Sequence, residues 1–183
     1  MLYSIKKVHL IGIGGIGMSG IAELLKNKEF IVSGSDIADS PNVKRLKDLG
    51  VNISIGHNKN NISNAELVIY SDAIPKNNVE LIEALSKKIL VYSRARMISE
   101  IAKLNNSTIA ISGTHGKTTT TSMIGTVLKA VNLDPTIIVG GVVKSLESNS
   151  VLGSGDTFVV EADEYNKSLL HLSPTIAVIN NID

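Results

Sequence analysis

Lys117 and Thr118 stand side by side at the end of a glycine loop, Gly113-Thr114-His115-Gly116-Lys117-Thr118-Thr119. Glycines let backbone N–H groups wrap phosphate oxygens, a lysine reaches the β- and γ-phosphates, and the adjoining hydroxyl suits Mg²⁺. Gly113, Thr114, His115, Gly116, Lys117, Thr118 and Thr119 are therefore the candidate ATP-binding residues. The spacing is the tighter G-x-x-G-K-T, because position 111 is Ile rather than Gly. Lys117 is the candidate catalytic cation. His115, between the two glycines, is a second catalytic candidate in a substrate-contacting or electrostatic role, with a spacer role equally open. A loop of this kind wants an acidic partner at the end of another strand to hold Mg²⁺. The apolar run Phe158-Val159-Val160 leads into Glu161-Ala162-Asp163-Glu164, and carboxylates so closely clustered repel one another unless a cation is present. Glu161, first after the run, is paired with Thr118 as the candidate metal ligand set; a solvated acidic loop is the alternative.

A second glycine loop, Gly12-Ile13-Gly14-Gly15-Ile16-Gly17, lies about a hundred residues upstream, and Asp36 follows it by roughly twenty residues. That arrangement fits an NAD ribose site, a nucleotide or diphosphate site with no redox role, or a turn needed only for helix–sheet packing. Nothing else in the chain resembles a dehydrogenase, so the ATP loop downstream favours a nucleotide-linked substrate. Gly12, Gly14, Gly15, Ile16, Gly17 and Asp36 are the candidate contacts. Ser71, in Ser71-Asp72-Ala73-Ile74-Pro75, joins them because it follows a strand on the side where open α/β sheets bind ligands; a plain turn is an equal reading. His9 reads as a core histidine paired to backbone, and His57 and His171 have no supporting context. Arg94 and Arg96 fit phosphate contacts or surface charge. Two phosphate-binding loops in series imply an ATP-consuming enzyme with a nucleotide-bearing substrate.

The elements that must position these residues follow from periodicity. Residues 8–11, 30–32, 51–55, 67–70 and 89–92 read as strands, and residues 18–25, 41–49, 79–85 and 97–104 as helices. Ser40-Pro41 marks a helix start and Gly50 a stop. The pattern restarts after Asn105-Asn106-Ser107 with strands at 108–111, 137–139, 158–160 and 175–179. Ile124, Val127, Leu128 and Val131 mark the apolar face of the helix after the second loop, and residues 145–155 read as an exposed loop. Alternating strands and helices predict an α/β fold: a Rossmann-like parallel sheet over 1–104, then the first part of a P-loop ATPase-type α/β domain over 105–183. A sheet ending on a strand at Ile179 lacks a covering layer, so the chain reads as a C-terminally truncated piece.

Composition agrees. Hydrophobic residues make up 43% and aromatics only 3%, so the core must be aliphatic. The net charge of +1, with Lys and Arg scattered, argues against nucleic-acid and membrane partners. The absence of cysteine removes disulfides, thiolate metal sites and Cys nucleophiles, and suits a cytoplasmic enzyme.

Together the residues resemble the Mur ligase family. The matches are His9-Leu10-Ile11-Gly12-Ile13-Gly14-Gly15-Ile16-Gly17-Met18-Ser19-Gly20 with Ser33-Gly34-Ser35-Asp36, then Gly113 to Thr119 as quoted, then Glu161-Ala162-Asp163-Glu164, in the family's order. The resemblance implies a three-domain ligase of peptidoglycan synthesis, with ATP and Mg²⁺ as cofactors and UDP-N-acetylmuramate and L-alanine as substrates. It places the UDP diphosphate on the glycines from Gly12 to Gly17 with Asp36 beside the uridine half. It places the γ-phosphate on Lys117, with Mg²⁺ on Thr118 and Glu161. A further metal-binding histidine and a C-terminal domain are expected beyond Asp183, so this chain alone is expected to bind nucleotide weakly and not to ligate. Glu164 is followed by Tyr165-Asn166, and a tyrosine there also occurs in the related murein tripeptide ligases of cell-wall recycling; that activity, or a nucleotide-sugar-binding remnant, is the alternative.

Overall fold

A computed structural model describes residues 4–143, 148–162 and 172–182. It contains two compact units, Met1–Met97 and Ile98–Asp183.

The first unit alternates β1 (Lys7–Ile11), α1 (Ile16–Asn27), β2 (Ile31–Asp36), α2 (Pro41–Asp48), β3 (Asn52–Ile55), β4 (Leu67–Tyr70), α3 (Val79–Ser86) and β5 (Leu90–Ser93), and α4 (Arg94–Ala102) begins within it. The strands pair in the order β3-β2-β1-β4-β5, all parallel. The order reverses beside β1, and such a reversal opens a crevice at the carboxyl ends of the strands. The first glycine loop leaves β1 at that point. Met18, Ile21, Ala22 and Leu25 of α1 are all buried, as their spacing predicts. Ser40 caps α2, its hydroxyl accepting the Val43 N–H at 3.3 Å with Pro41 at the first helical position. Ile11, Val68, Leu81 and Ala84 form the core on the α3 side, together with Ile62 from a single 3₁₀ turn at Lys59–Ile62 that the sequence pattern did not disclose.

The second unit contains β6 (Ser107–Ser112), α5 (Lys117–Ala130), β7 (Thr136–Val143), β8 (Ser148–Val151), β9 (Thr157–Glu161) and β10 (Ile176–Ile179), in the sheet order β10-β6-β9-β7-β8. Three expectations are corrected here. The stretch expected as a loop over 145–155 contains β8, which returns antiparallel along β7, so this sheet is mixed at one edge. Its Ser and Asn composition hid an edge strand, where one face and one row of backbone groups stay wet. The buried stripe of α5 is also rotated from the expected one. Ile124 and Leu128 pack on Ile109, Ile111, Ile137 and Val159, but Val127 and Val131 are 63% and 59% exposed. Thr121 and Gly125 complete the inward face, because the absence of a side chain at Gly125 lets Ile137 reach the helix backbone. Finally, His9 is buried but pairs with side chains rather than backbone, as described below.

Among the described residues no helix is long and apolar enough to cross a membrane.

Candidate functional site

In the first unit the glycine loop is anchored from both sides. The Gly12 and Ile13 N–H groups donate to the Ser35 carbonyl at 2.8 and 3.1 Å, which fixes the exit from β1 against the end of β2. Asp36 ends β2, and its Oδ2 accepts the Gly14 N–H at 2.8 Å while Oδ1 accepts the Ala38 N–H at 3.2 Å. The carboxylate expected to read a ribose is thus also a buttress of the loop. Asn42, which no motif singled out, donates to the Gly14 carbonyl at 3.0 Å. Gly15 caps α1, so Ile16 and Gly17 open the helix whose N-terminal N–H groups and dipole favour an anion. Ser71 follows β4 beside this loop: its N–H donates to the Ile11 carbonyl at 3.3 Å, and a Cβ placed on Gly12 would lie 3.4 Å from its own. The Arg94 guanidinium lies directly over Gly17, at the same helix end. Arg96 instead stacks on the Tyr92 ring, 5.1 Å from its centroid. Of the two arginines, Arg94 is therefore the one beside the glycine loop.

Behind the loop lies a polar cluster that the sequence reading missed. Glu80, in the first turn of α3, is fully buried. Its Oε2 accepts the Ser35 hydroxyl at 2.5 Å, and its Oε1 accepts the Asn61 side-chain amide at 2.6 Å and the Asn58 N–H at 3.1 Å. His57 Nδ1 lies 3.1 Å from Ser35 Oγ and 3.3 Å from Glu80 Oε2. A carboxylate only accepts, so Nδ1 carries the hydrogen. His9 Nε2 stands 3.7 Å from Glu80 Oε2, an ion-pair rather than a hydrogen-bond separation, and its Nδ1 is 3.0 Å from Ser33 Oγ. Burial alone would push the Glu80 carboxyl up, but the nearby His9 imidazole and the donors from Ser35, Asn61 and the Asn58 backbone outweigh it and hold the group at about 2. One ionised carboxylate therefore ties β1, β2, the segment after β3 and α3 together immediately beneath the loop. The signal was present in the types of His9, His57 and Glu80, but only the fold brings these separated residues together.

In the second unit the other glycine loop leaves β6 and ends at Gly116, which caps α5. Lys117 and Thr118 open the helix, and its first intrahelical bond runs from the Thr120 N–H to the Gly116 carbonyl at 2.9 Å. The N–H groups before it form the anion-facing first turn. Lys117 Nζ donates to the Gly113 carbonyl at 2.6 Å, so the ammonium arches back across the loop mouth. Glu161 ends β9 in register with Ile111 on the neighbouring parallel strand, and the Ala162 N–H donates to the Ile111 carbonyl at 2.8 Å. The carboxylate is thereby set at the strand end from which the loop departs. Thr118 and Glu161 offer hard oxygen donors that suit Mg²⁺, a cation usually held by one or two carboxylates together with phosphate and water. Asp163, Glu164 and His171 lie outside the described residues. His115 is exposed, and its backbone is held by two asparagines that follow β10. An apolar cleft of about 630 Å³ opens beside the loop, lined by Ala110, Ser112, Thr114, Ala177, Ile179 and Asn181 among others.

Known proteins match both units. The Mur ligase family catalytic domain matches residues 7–106, and the Mur ligase middle domain matches residues 111–183. The UDP-N-acetylmuramate–L-alanine ligase of Agrobacterium fabrum is 53% identical over 176 residues, which are 96% of this chain and 37% of that protein. The crystal structure of the UDP-N-acetylmuramate–alanine ligase of Thermotoga maritima superposes with a TM-score of 0.82 at 33% identity, over 96% of this chain and 41% of that one. The UDP-N-acetylmuramate:L-alanyl-γ-D-glutamyl-meso-diaminopimelate ligase of Neisseria meningitides superposes with a TM-score of 0.84 at 30% identity, over 98% and 61%. The chain spans about two fifths of the length of the curated relatives it matches. With two glycine loops set at the carboxyl ends of two α/β sheets and matches that run through both, this chain belongs to the Mur ligase family.

Proposed function

We propose that these residues are the UDP-substrate and ATP-binding parts of a cytoplasmic ligase that joins L-alanine to the carboxylate of UDP-N-acetylmuramate in peptidoglycan precursor synthesis. The observation that carries this reading is the second-unit geometry: Lys117 and Thr118 open α5 while Glu161 ends the adjoining strand, downstream of an independent nucleotide loop. About 50% identity to alanine-adding ligases supports the choice of amino acid.

A free carboxylate is a poor acceptor for an amine, so the reaction needs a leaving group. A carboxylate oxygen attacks the γ-phosphorus of ATP, the bond to the bridging oxygen breaks, and an acyl phosphate and ADP result. The amine nitrogen of L-alanine then attacks the acyl carbon, phosphate leaves, and the amine gives up a proton. Lys117 neutralises charge on the transferring group, and the first-turn N–H groups of α5 orient it. Thr118 and Glu161 hold Mg²⁺, which supplies charge neutralisation when bound. In the first unit, the α1 terminus and Arg94 take the diphosphate and Ser71 borders it.

Full-length protein supplied with ATP, UDP-N-acetylmuramate and L-alanine should release ADP and phosphate only when all three are present. Turnover with the L-Ala-γ-D-Glu-meso-diaminopimelate tripeptide in place of L-alanine would instead establish the recycling activity, to which the likeness to the Neisseria enzyme lends weight. Absence of turnover with either acceptor would remove the ligase reading. Gly14→Ala tests the first loop. An added Cβ would come within 2.7 Å of Val43 Cγ2, 2.9 Å of Ser40 Oγ and 3.0 Å of Asp36 Oδ2, all packed groups. Its KM for UDP-N-acetylmuramate should rise on the order of tenfold, equivalent to about 1.4 kcal/mol. Its KM for ATP should stay at the wild-type value, and equal rises in both would assign the loop to general folding.

A further inference from the structure

Asn180 and Asn181, immediately after β10, grip the ATP loop through its backbone. Asn181 Oδ1 accepts the Thr114 N–H at 2.8 Å and the His115 N–H at 3.2 Å, while its Nδ2 donates to the His115 carbonyl at 3.2 Å. Asn180 is tied to the end of β6 by its N–H, which donates to the Ser112 carbonyl at 2.9 Å. Its Nδ2 donates to the His115 carbonyl at 3.3 Å, and its Oδ1 accepts the Thr120 hydroxyl at 3.3 Å. The glycines answer to the same pair. Gly113 has φ +135°, and a Cβ there would fall 3.1 Å from both Asn180 Cβ and Asn181 Oδ1; Gly116 has φ +78°, and a Cβ there would fall 3.2 Å from Asn180 Nδ2. Both loop glycines are thus needed for positive φ and for close approach of the asparagines.

Two consecutive N–H groups converging on one oxygen form the concave donor arrangement that elsewhere holds an anion. Here a neutral side-chain oxygen occupies it. That fixes the Thr114–His115 peptide before any nucleotide arrives and directs phosphate toward the donors from Gly116 onward. A loop set in advance does not lose its conformational freedom at the moment of binding. We propose that Asn181 is a positioning residue for nucleotide binding, a side-chain clasp that shapes the ATP loop from the end of β10. This rests on the ATP-binding reading above but can fail separately from it.

Two measurements on the full-length protein and its Asn181→Ala variant test the clasp. Without nucleotide, amide hydrogen exchange at Thr114 and His115 should quicken at least tenfold in the variant while β6 amides keep their protection. With Mg-ATP, the KM for ATP should rise about tenfold, and the KM for UDP-N-acetylmuramate should remain within a factor of two. Asn181→Leu keeps the size of the side chain but removes both the accepting oxygen and the donor to His115. It should quicken the same amides and raise the KM for ATP alike, and it carries the test alone if the alanine variant does not fold. Wild-type exchange and wild-type KM for ATP in either variant would overturn the proposal, as would equal rises in the KM of both substrates. A wild-type protein that protects these amides but never consumes ATP would overturn the ATP reading and leave the clasp standing.

Discussion

Lys117→Ala in the full-length protein should lower ATP-driven amide formation by about a thousandfold or more, the range seen when a preorganised charge at a transferring phosphoryl group is removed. The geometry makes this side chain hard to replace. It leaves the first residue of α5, and its ammonium arches over the loop to the Gly113 carbonyl at 2.6 Å. Lys117→Arg should rescue little, because a planar fork does not repeat the compact ammonium at that carbonyl. The check is steady-state release of ADP with UDP-N-acetylmuramate and L-alanine saturating, alongside titration of the UDP substrate. Binding of the UDP substrate should survive, since the first loop lies in the other unit. Unchanged turnover would end the assignment of this loop to ATP.

Glu80→Gln should produce the largest loss of stability. The wild-type carboxylate is buried and accepts from Ser35, Asn61 and the Asn58 N–H with His57 and His9 alongside. An amide presents a donor where acceptors are required, so at least one of those partners loses its bond. The group titrates at about 2 in the fold against an ordinary 4.5, because its donors overcome burial. That gap corresponds to about 3 kcal/mol, comparable to breaking a buried charge pair. Since the value is depressed by folding, the contribution is complete above about pH 4.5 and disappears as pH falls toward 2. Thermal unfolding at pH 7 should show the first-unit transition lowered on the order of 10–20 °C in Glu80→Gln. The difference between variant and wild type should narrow as the pH is taken below 4.5. Curves that stay parallel across that range would mean that Glu80 is not ionised in the fold.

The two glycine loops, the strands that deliver them and Glu161 were legible because each is local: a β-branched run, a turn residue and a helical period lie within one short window. The burial of α5 was misread for an equally physical reason. Hydropathy gives weight to Val127 and Val131, whereas the helix approaches the sheet along Thr121 and Gly125, whose small size permits close contact. β8 was missed because an edge strand need not look apolar. The Glu80 cluster and the asparagine pair were invisible because they are relations between segments distant in sequence. His57 and Glu80 acquire meaning only when β1, β2 and α3 meet, and Asn181 only when β10 pairs with β6.

Asn181 holds the Thr114 and His115 N–H groups from a strand that pairs with β6 among the described residues. Local opening of such a pair costs less than global unfolding, and anything bound only to the closed form stabilises it by mass action. Under the proposed ATP reading, parting of β10 from β6 would loosen the phosphate cradle, and a seated triphosphate would in turn hold the two strands together. Affinity for ATP would then gauge whether this pair is zipped.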